Sequence, residues 1–221
     1  MFKKIGITGD THGDLSLIRI NRAIKEGFDC LIVTGDFGYL WEGSEDEVKA
    51  LNKIKSLPIT ILFVDGNHEN FDLLNTYKVS TWNGGKVRFI RKNIIHLMRG
   101  QVFEIDNKKF FTFGGAKSVD IFNRKENVDW WREELPNLKE MDEGIDNLQK
   151  HNNKVDYIIT HTCYEEILSS LVRFSETDEL IRYLSFIKMK IQYNMWYFGH
   201  FHIDYNINDK DFCLYHLIKE L

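Results

Sequence analysis

Eight residues of this chain are of the right type and spacing to do chemistry together. Asp10 and His12 lie in Gly9-Asp10-Thr11-His12-Gly13, Asp36 follows Gly35, and Asn67 and His68 lie in Gly66-Asn67-His68-Glu69. His161 follows Thr160, and His200 and His202 lie in Gly199-His200-Phe201-His202. Five of the chain's 8 histidines fall in this set, each just after a short apolar run. Neutral imidazole combined with carboxylate and amide oxygen suits first-row divalent ions such as Mn²⁺, Fe²⁺ or Zn²⁺. It does not match the all-oxygen preference of Ca²⁺ or the thiolates of structural zinc. Seven ligands drawn from these residues exceed what one such ion takes from protein, so two ions are expected, with a carboxylate able to bridge them. Asp10 and Asp36 against two divalent ions leave a charge of about +2, which suits a phosphoryl group and acidifies a shared water. Two metals roughly 3.5–4 Å apart clamp the attacking and leaving oxygens of an in-line displacement. The chemistry expected is phosphoester hydrolysis.

The elements that position these groups are short strands rich in β-branched and aromatic residues. Runs at 4–8, 30–34, 59–63, 155–159 and 195–198 each end in one of the polar clusters. A buried strand opening into a polar loop at its carboxyl end is where ligands bind in open α/β sheets. Amphipathic helices are expected at 14–26 and 44–56, which with their flanking strands make βαβ units and a parallel sheet. After residue 80 the texture turns to hairpins: short runs at 87–90, 94–98, 101–105 and 110–113 are separated by Asn83-Gly84-Gly85, Arg99-Gly100 and Asp106-Asn107-Lys108. Residues 114–135 show no period, and a loop of that length inside a domain is usually functional. Pro136 suits the first turn of a helix reaching about His151. Helices at 164–172 and 178–191 and a last strand at 212–218 complete the chain. The expected fold class is mixed α/β: two β-sheets packed face to face as a sandwich, flanked by helices on both sides.

Composition narrows the function classes. The 221 residues carry a net charge of −4, which argues against a general nucleic-acid-binding surface. No apolar stretch reaches the roughly 18 residues of a membrane span, and no signal-peptide pattern precedes the first strand, so a cytoplasmic protein is expected. The 3 cysteines, Cys30, Cys163 and Cys213, lack metal-type spacing and read as buried reduced thiols. No low-complexity tract or repeat marks a boundary, so residues 1–221 are expected to form one domain.

Asp-x-His (Asp10, His12), Gly-Asp (Gly35, Asp36), Gly-Asn-His-Glu (66–69), a strand-end His161 and Gly-His-x-His (199–202) together resemble the five signature blocks of the calcineurin-like metallophosphoesterases, in that family's order. The resemblance implies a four-layer fold of two sheets between helices and a dinuclear centre. One ion would be held by Asp10, His12, Asp36 and His202, and the other by Asp36, Asn67, His161 and His200, with Asp36 bridging. The nucleophile would be a metal-bridging hydroxide. His68, left over, is similar to the family histidine that contacts the phosphate and protonates the leaving oxygen, with Asp65 or another acid tuning it. Mn²⁺ is the expected metal, with Fe or Zn as alternatives.

The protein Ser/Thr phosphatases of that superfamily place an arginine shortly after Gly-Asp, whereas here Phe37-Gly38-Tyr39-Leu40-Trp41 follows. The expected substrate is therefore a small phosphomonoester or a nucleotide-type phosphodiester, ahead of a phosphoprotein or a nuclease role. An alternative of another class is a non-catalytic protein-binding module on the same fold. Arg99 and Arg124 are the candidates for orienting the phosphate in place of the missing arginine. Each has a structural alternative, Arg99 as an edge residue and Arg124 as a salt bridge within its loop. Trp130 and Trp131 fit core packing or the stacking of a base. The basic run of Lys86, Arg88, Arg91, Lys92 and Arg99 is expected on a solvated strand edge, with a role in phosphate approach as the alternative.

Overall fold

In the computed structural model, which describes residues 1–172 and 177–221, three βα units open the chain. Strand β1 (Ile5–Thr8) leads to helix α1 (Ile18–Lys25), β2 (Cys30–Val33) to α2 (Glu45–Ser56), and β3 (Thr60–Phe63) to the short α3 (Phe71–Asn75). Strands β4 (Val79–Trp82), β5 (Gly85–Arg91) and β6 (Ile94–Leu97) follow, and then the hairpin β7 (Gln101–Ile105) and β8 (Lys108–Phe113). After the irregular segment come α4 (Leu138–Lys150), β9 (Tyr157–Thr160), α5 (Glu165–Leu171), α6 (Glu179–Lys190) and β10 (Met195–Phe198). The chain closes with β11 (Tyr205–Asn206), β12 (Asp211–Cys213) and β13 (Lys219–Glu220).

These strands make two mixed sheets, one ordered β13-β1-β2-β3-β6-β5-β4 and the other β11-β12-β10-β9-β8-β7. The near-continuous apolar strands are explained by burial on both faces. In β2, Cys30 and Ile32 point into the layer between the sheets, with Leu62, Phe110, Ile159 and Tyr197. Leu31 and Val33 point the other way, onto Ile20 and Ala23 of α1 and Leu51 and Ile54 of α2. The second sheet repeats this, packing Phe111, Ile158 and Trp196 against Leu148, Leu180 and Leu184 of α4 and α6. The result is four layers, helix, sheet, sheet, helix. The three cysteines are buried and unpaired, and no helix among the described residues is long and apolar enough to cross a membrane.

Several local expectations are corrected. The strand expected at 212–218 stops at Cys213: β12 lies beside β10, residues 214–218 are not strand, and β13 starts only at Lys219, antiparallel to β1 in the other sheet. Between them the Asp204 carboxylate accepts the backbone N–H of Tyr215, His216 and Leu217 at 2.7, 3.0 and 3.0 Å. That replaces ladder hydrogen bonds and lets the chain cross from one sheet to the other. The first helix starts at Ile18 because Asp14 takes the N–H of Ser16 and Ile18 at 2.9 and 2.8 Å, making a side-chain turn of residues 14–17. Pro136 lies just outside its helix. Asn137 caps α4 by accepting from Glu140 N at 3.1 Å, and Glu140 reaches back to Asn137 N at 2.9 Å.

The basic run does not sit on an edge. Strand β4, whose residues are mostly exposed and carry no clear apolar alternation, covers β5 through a turn with positive φ at both Asn83 and Gly84. Arg88 on β5 is half-buried, and Arg99, in the turn after β6, is 6 % exposed, whereas Lys86 and Lys92 are exposed as expected.

Candidate metal centre

Because β1, β2 and β3 run parallel, their carboxyl-end loops emerge side by side, carrying Asp10 and His12, Asp36, and Asn67 and His68. Strands β9 and β10 are likewise parallel in the other sheet and deliver His161, His200 and His202. Stacking the sheets brings the two sets together: His202 Nε2 lies 3.2 Å from Asp10 Oδ2, and His161 Nε2 lies 3.4 Å from Asp36 Oδ1.

The loops are bent to make this meeting possible. His12, Asp36, His200 and His202 all have positive φ, 47, 46, 70 and 53°. Non-glycine residues rarely adopt that region, and strain of this kind gathers where a site needs it. Two flanking glycines allow the close approach. A Cβ at Gly66 would stand 2.0 Å from Asp36 Oδ1, and one at Gly199 would stand 2.1 Å from Asp10 Oδ1.

One group of ligating atoms, from Asp10, His12, Asp36 and His202, lies entirely within 4.8 Å. His12 Nε2 and His202 Nε2 are 2.9 Å apart, and His12 Nε2 is 3.9 Å from both Asp10 Oδ2 and Asp36 Oδ2. The second cluster is defined by its protons. His161 Nδ1 is 2.8 Å from the Thr34 carbonyl, which can only accept, so the ring proton sits there and Nε2 keeps its lone pair. That lone pair faces Asn67 Oδ1 at 3.1 Å and Asp36 Oδ1 at 3.4 Å. The Asn67 amide is turned this way because its Nδ2 donates to Ser118 Oγ at 3.1 Å. Three acceptors therefore converge with no proton between them, an arrangement that a cation satisfies. His200 packs edge-on to His161 with ring centroids 5.0 Å apart.

The electrostatics fit the same reading. Burial pushes the Asp10 pKa upward, but the His202 hydrogen bond and the His161 and His12 charges overcome this and hold it below the usual carboxylate range. Burial, then His161, pushes His200 down to about 4, and burial lowers His12 as well. Neutral imidazole is the form that ligates a metal.

His68 is half-buried beside this group, its ring 5.6 Å from that of His12 and 6.1 Å from that of Trp41. Its backbone N–H donates to Asp36 Oδ1 at 2.7 Å. Burial lowers its pKa, with Asp36 pulling up and Arg124 pushing further down. Asp65 is not its partner. Asp65 accepts from Arg99 Nε at 2.8 Å and lies 3.0 Å from His96 Nε2, and these partners hold its pKa far below the usual range against the upward push of burial.

Arg99 is thus kept away from the centre. Its guanidinium is shared among Asp65, the Glu133 carbonyl at 2.6 Å and Glu140 at 3.6 Å. Arg99→Ala should lower stability by about 3–5 kcal/mol, because it leaves the buried Asp65 carboxylate without its charged partner. Chemical denaturation checks this, with metal content of the folded protein expected to stay at the parent value. Arg124 is placed differently. It lines a cavity of about 220 Å³ together with Asp36, Asn67, His68 and His200, tethered to Asp120 Oδ2 at 2.8 Å and to the Asp129 carbonyl at 3.1 Å.

Residues 3–204 match the family model for calcineurin-like phosphoesterases. The chain belongs to the calcineurin-like phosphoesterases. It is accordingly a metal-dependent phosphoesterase, an enzyme of the hydrolase class whose centre uses divalent ions. Solved structures agree on the fold. Protein TT1561 of Thermus thermophilus matches with TM-score 0.53 and 9 % identity over 97 % of this chain and 89 % of that one. A candidate 5'-nucleotidase from Staphylococcus aureus, in complex with alpha-ketoglutarate, matches with TM-score 0.51 and 14 % identity over 96 % of this chain and 48 % of that one. No curated protein sequence matches this calcineurin-like phosphoesterase closely enough to name a relative.

Three further residues brace this centre without any signal of that role in the sequence. Glu69, almost fully buried, accepts the Phe37 N–H at 2.7 Å and so braces the loop that carries Asp36. Ser118 orients Asn67, and Glu134 in turn accepts the Ser118 N–H at 3.1 Å. Nothing local in the aperiodic stretch 114–135 says that its Ser118 meets an asparagine 51 residues earlier.

Proposed function

We propose that this phosphoesterase hydrolyses small phosphomonoesters or nucleotide-type phosphodiesters at a dinuclear centre, with His68 as general acid. One ion would be held by Asp10, His12, Asp36 and His202 and the other by Asp36, Asn67, His161 and His200. The observation carrying this reading is the proton-free convergence of His161 Nε2, Asn67 Oδ1 and Asp36 Oδ1 next to the compact first group. When bound, the two ions supply Lewis acidity toward phosphoryl oxygens and acidify the attacking water.

The chain's own residues do the rest. Asp36 would serve both ions, since its Oδ1 faces His161 and its Oδ2 faces His12. His68, neutral in the free site, gains its proton as a phosphate dianion approaches, because a nearby negative charge favours imidazolium. It then gives that proton to the leaving oxygen. Arg124 grips a phosphate oxygen across the small cavity. Residues 37–41, where a protein phosphatase carries its arginine, are packed inward here, with Phe37, Tyr39 and Leu40 at most 5 % exposed. That supports a small ester over a phosphoprotein. The nucleotide preference draws support from the Staphylococcus aureus neighbour, Mn²⁺ from the mixed nitrogen and oxygen donors, and a cytosolic location from the three unpaired buried thiols.

Elemental analysis together with turnover of p-nitrophenyl phosphate and bis-p-nitrophenyl phosphate under Mn²⁺ tests the proposal. Two bound metals with esterase turnover uphold it, and a metal-free, inert protein makes the fold an interaction module instead. Two further outcomes follow from the geometry. Ser118→Ala should weaken binding of one ion by roughly 10–100-fold, the usual effect of losing a residue that orients a ligand, and leave the other unchanged in isothermal titration. Arg124→Lys should raise KM or lower kcat about tenfold, because lysine cannot reproduce a guanidinium's forked contact with phosphate. Kinetics equal to the parent would remove Arg124 from the site.

A further inference from the structure

Beside the metal-centre pocket lies a larger cavity, about 760 Å³, that contains none of the proposed ligands. Its size falls in the range of small-molecule sites, roughly 300–1,000 Å³. One aromatic ring stands between the two pockets: Trp41 is 6.1 Å from His68 and 5.5 Å from Trp131, which forms part of the cavity wall. One chain segment also serves both, since Lys117 and Ile121 line the cavity while Ser118, Asp120 and Arg124 line the metal pocket.

The cavity is not built for an anion. At its deep end the cations Arg88 and Arg99 are matched by Asp65 and Glu140, with Arg99 2.8 Å from the first and 3.6 Å from the second. Its walls include Phe71, Trp131 and the half-exposed Trp130. What the deep end lacks is hydrogen-bond partners: Arg88 Nε and His96 Nδ1 are buried and have none among the described residues.

These two atoms belong together. Arg88 and His96 are register partners on β5 and β6, so their side chains share one face of the sheet with Cβ atoms about 4.5–5.5 Å apart. His96 Nε2 lies 3.0 Å from Asp65 Oδ1, which places the ring proton on Nε2 and leaves Nδ1 as an acceptor. Burial lowers the His96 pKa and so keeps the ring in that neutral form. Arg88 and His96, both lining the cavity, thus leave a donor, Nε–H, and an acceptor, Nδ1, without partners just beneath its floor. A donor adjacent to an acceptor, between aromatic walls, is complementary to the edge and faces of a nucleobase.

We propose that this cavity is a nucleobase-binding site, with Trp130 as the stacking surface and the Arg88 and His96 pair meeting the base edge. The occupant is the base of a nucleoside or nucleotide. Ser118 and Arg124 belong to the same segment as Lys117 and Ile121, so the cavity and the metal pocket share one stretch of chain.

Isothermal titration of the metal-loaded protein with adenosine, guanosine, cytidine and uridine tests the site without phosphate or turnover, since a nucleoside carries no phosphoester. At least one nucleoside should bind saturably with Kd at or below about 1 mM. Trp130→Leu and Arg88→Met should each weaken that binding at least about tenfold, in line with the roughly 1–3 kcal/mol of base stacking. Asp36→Asn should bind as the parent does. The proposal is overturned if none of the four binds saturably, or if Trp130→Leu and Arg88→Met, with melting temperatures unchanged, bind as the parent does. Steady-state kinetics then distinguish two sources of the base. Competitive inhibition by the nucleoside assigns the cavity to the substrate's own base, and a changed kcat at saturating ester assigns it to a separate effector.

Discussion

Asp36→Asn is expected to lower metal occupancy at both ions and to reduce kcat by more than about 10³-fold. The reduction follows from losing several kcal/mol of metal-centred charge stabilisation, at 1.4 kcal/mol per factor of ten. The side chain faces both halves of the centre, at 3.4 Å from His161 Nε2 and 3.9 Å from His12 Nε2. The substitution also isolates charge from fold. Asp36 sits at φ 46°, a region that asparagine tolerates nearly as well as aspartate, and an amide oxygen can still accept the His68 N–H now held at 2.7 Å. Melting temperature in chelator should therefore match the parent while elemental analysis shows both ions depleted. His202→Ala should deplete mainly one ion. Two full equivalents of metal in Asp36→Asn would show that this carboxylate does not bridge.

His68→Ala should retain both metals and lose roughly 10²–10⁴-fold in kcat, the usual share of general acid catalysis. Retention is expected because His68 is tied to the ligand cluster through its backbone N–H, which donates to Asp36 and which alanine keeps. The loss should shrink for p-nitrophenolate, a leaving group that needs no proton, and grow for alkyl esters. Equal losses across leaving groups of widely different pKa would assign His68 to holding the phosphate. The pH profile has a definite sign. The free-site pKa of His68 is lowered by burial and raised toward normal by Asp36. The acid form is therefore lost from the free enzyme as pH rises through a value below the usual 6.5, and kcat/KM of the parent should fall on that side. The variant's profile should lack this limb.

Much of the fold was legible because its signals are local. Strands such as Cys30–Val33 and Tyr157–Thr160 are apolar on both faces, which marks them as interior, and each opens into a polar cluster that no interior could hold. The candidate ligands could be named from those clusters, and the structure brings all seven into one region because parallel strands deliver their ends to the same side. The edge strand β4 was missed because exposure removes the alternation that reveals a strand.

Partnerships across the layers were decided by the tertiary structure alone. Arg99 and Arg124 were both candidates in the sequence, Arg99 at a glycine turn and Arg124 in the long aperiodic segment. The turn that carries the chain from β6 in one sheet to β7 in the other places Arg99 against Asp65, 34 residues away, whereas the irregular segment carries Arg124 to the cavity beside His68. Asp65, next to Gly66-Asn67-His68, looked placed to tune His68. Its carboxylate is instead taken up by Arg99 and His96, from the turn after β6 and from β6 itself. Ser118 and Glu134 reach Asn67 only because the segment after β8 folds back over the ends of the first sheet. Residue type and spacing fix which side chains can do the chemistry, since burial period and ligand preference are properties of short stretches. Which of them meet depends on how two sheets stack, and that is set by the summed packing of the whole core.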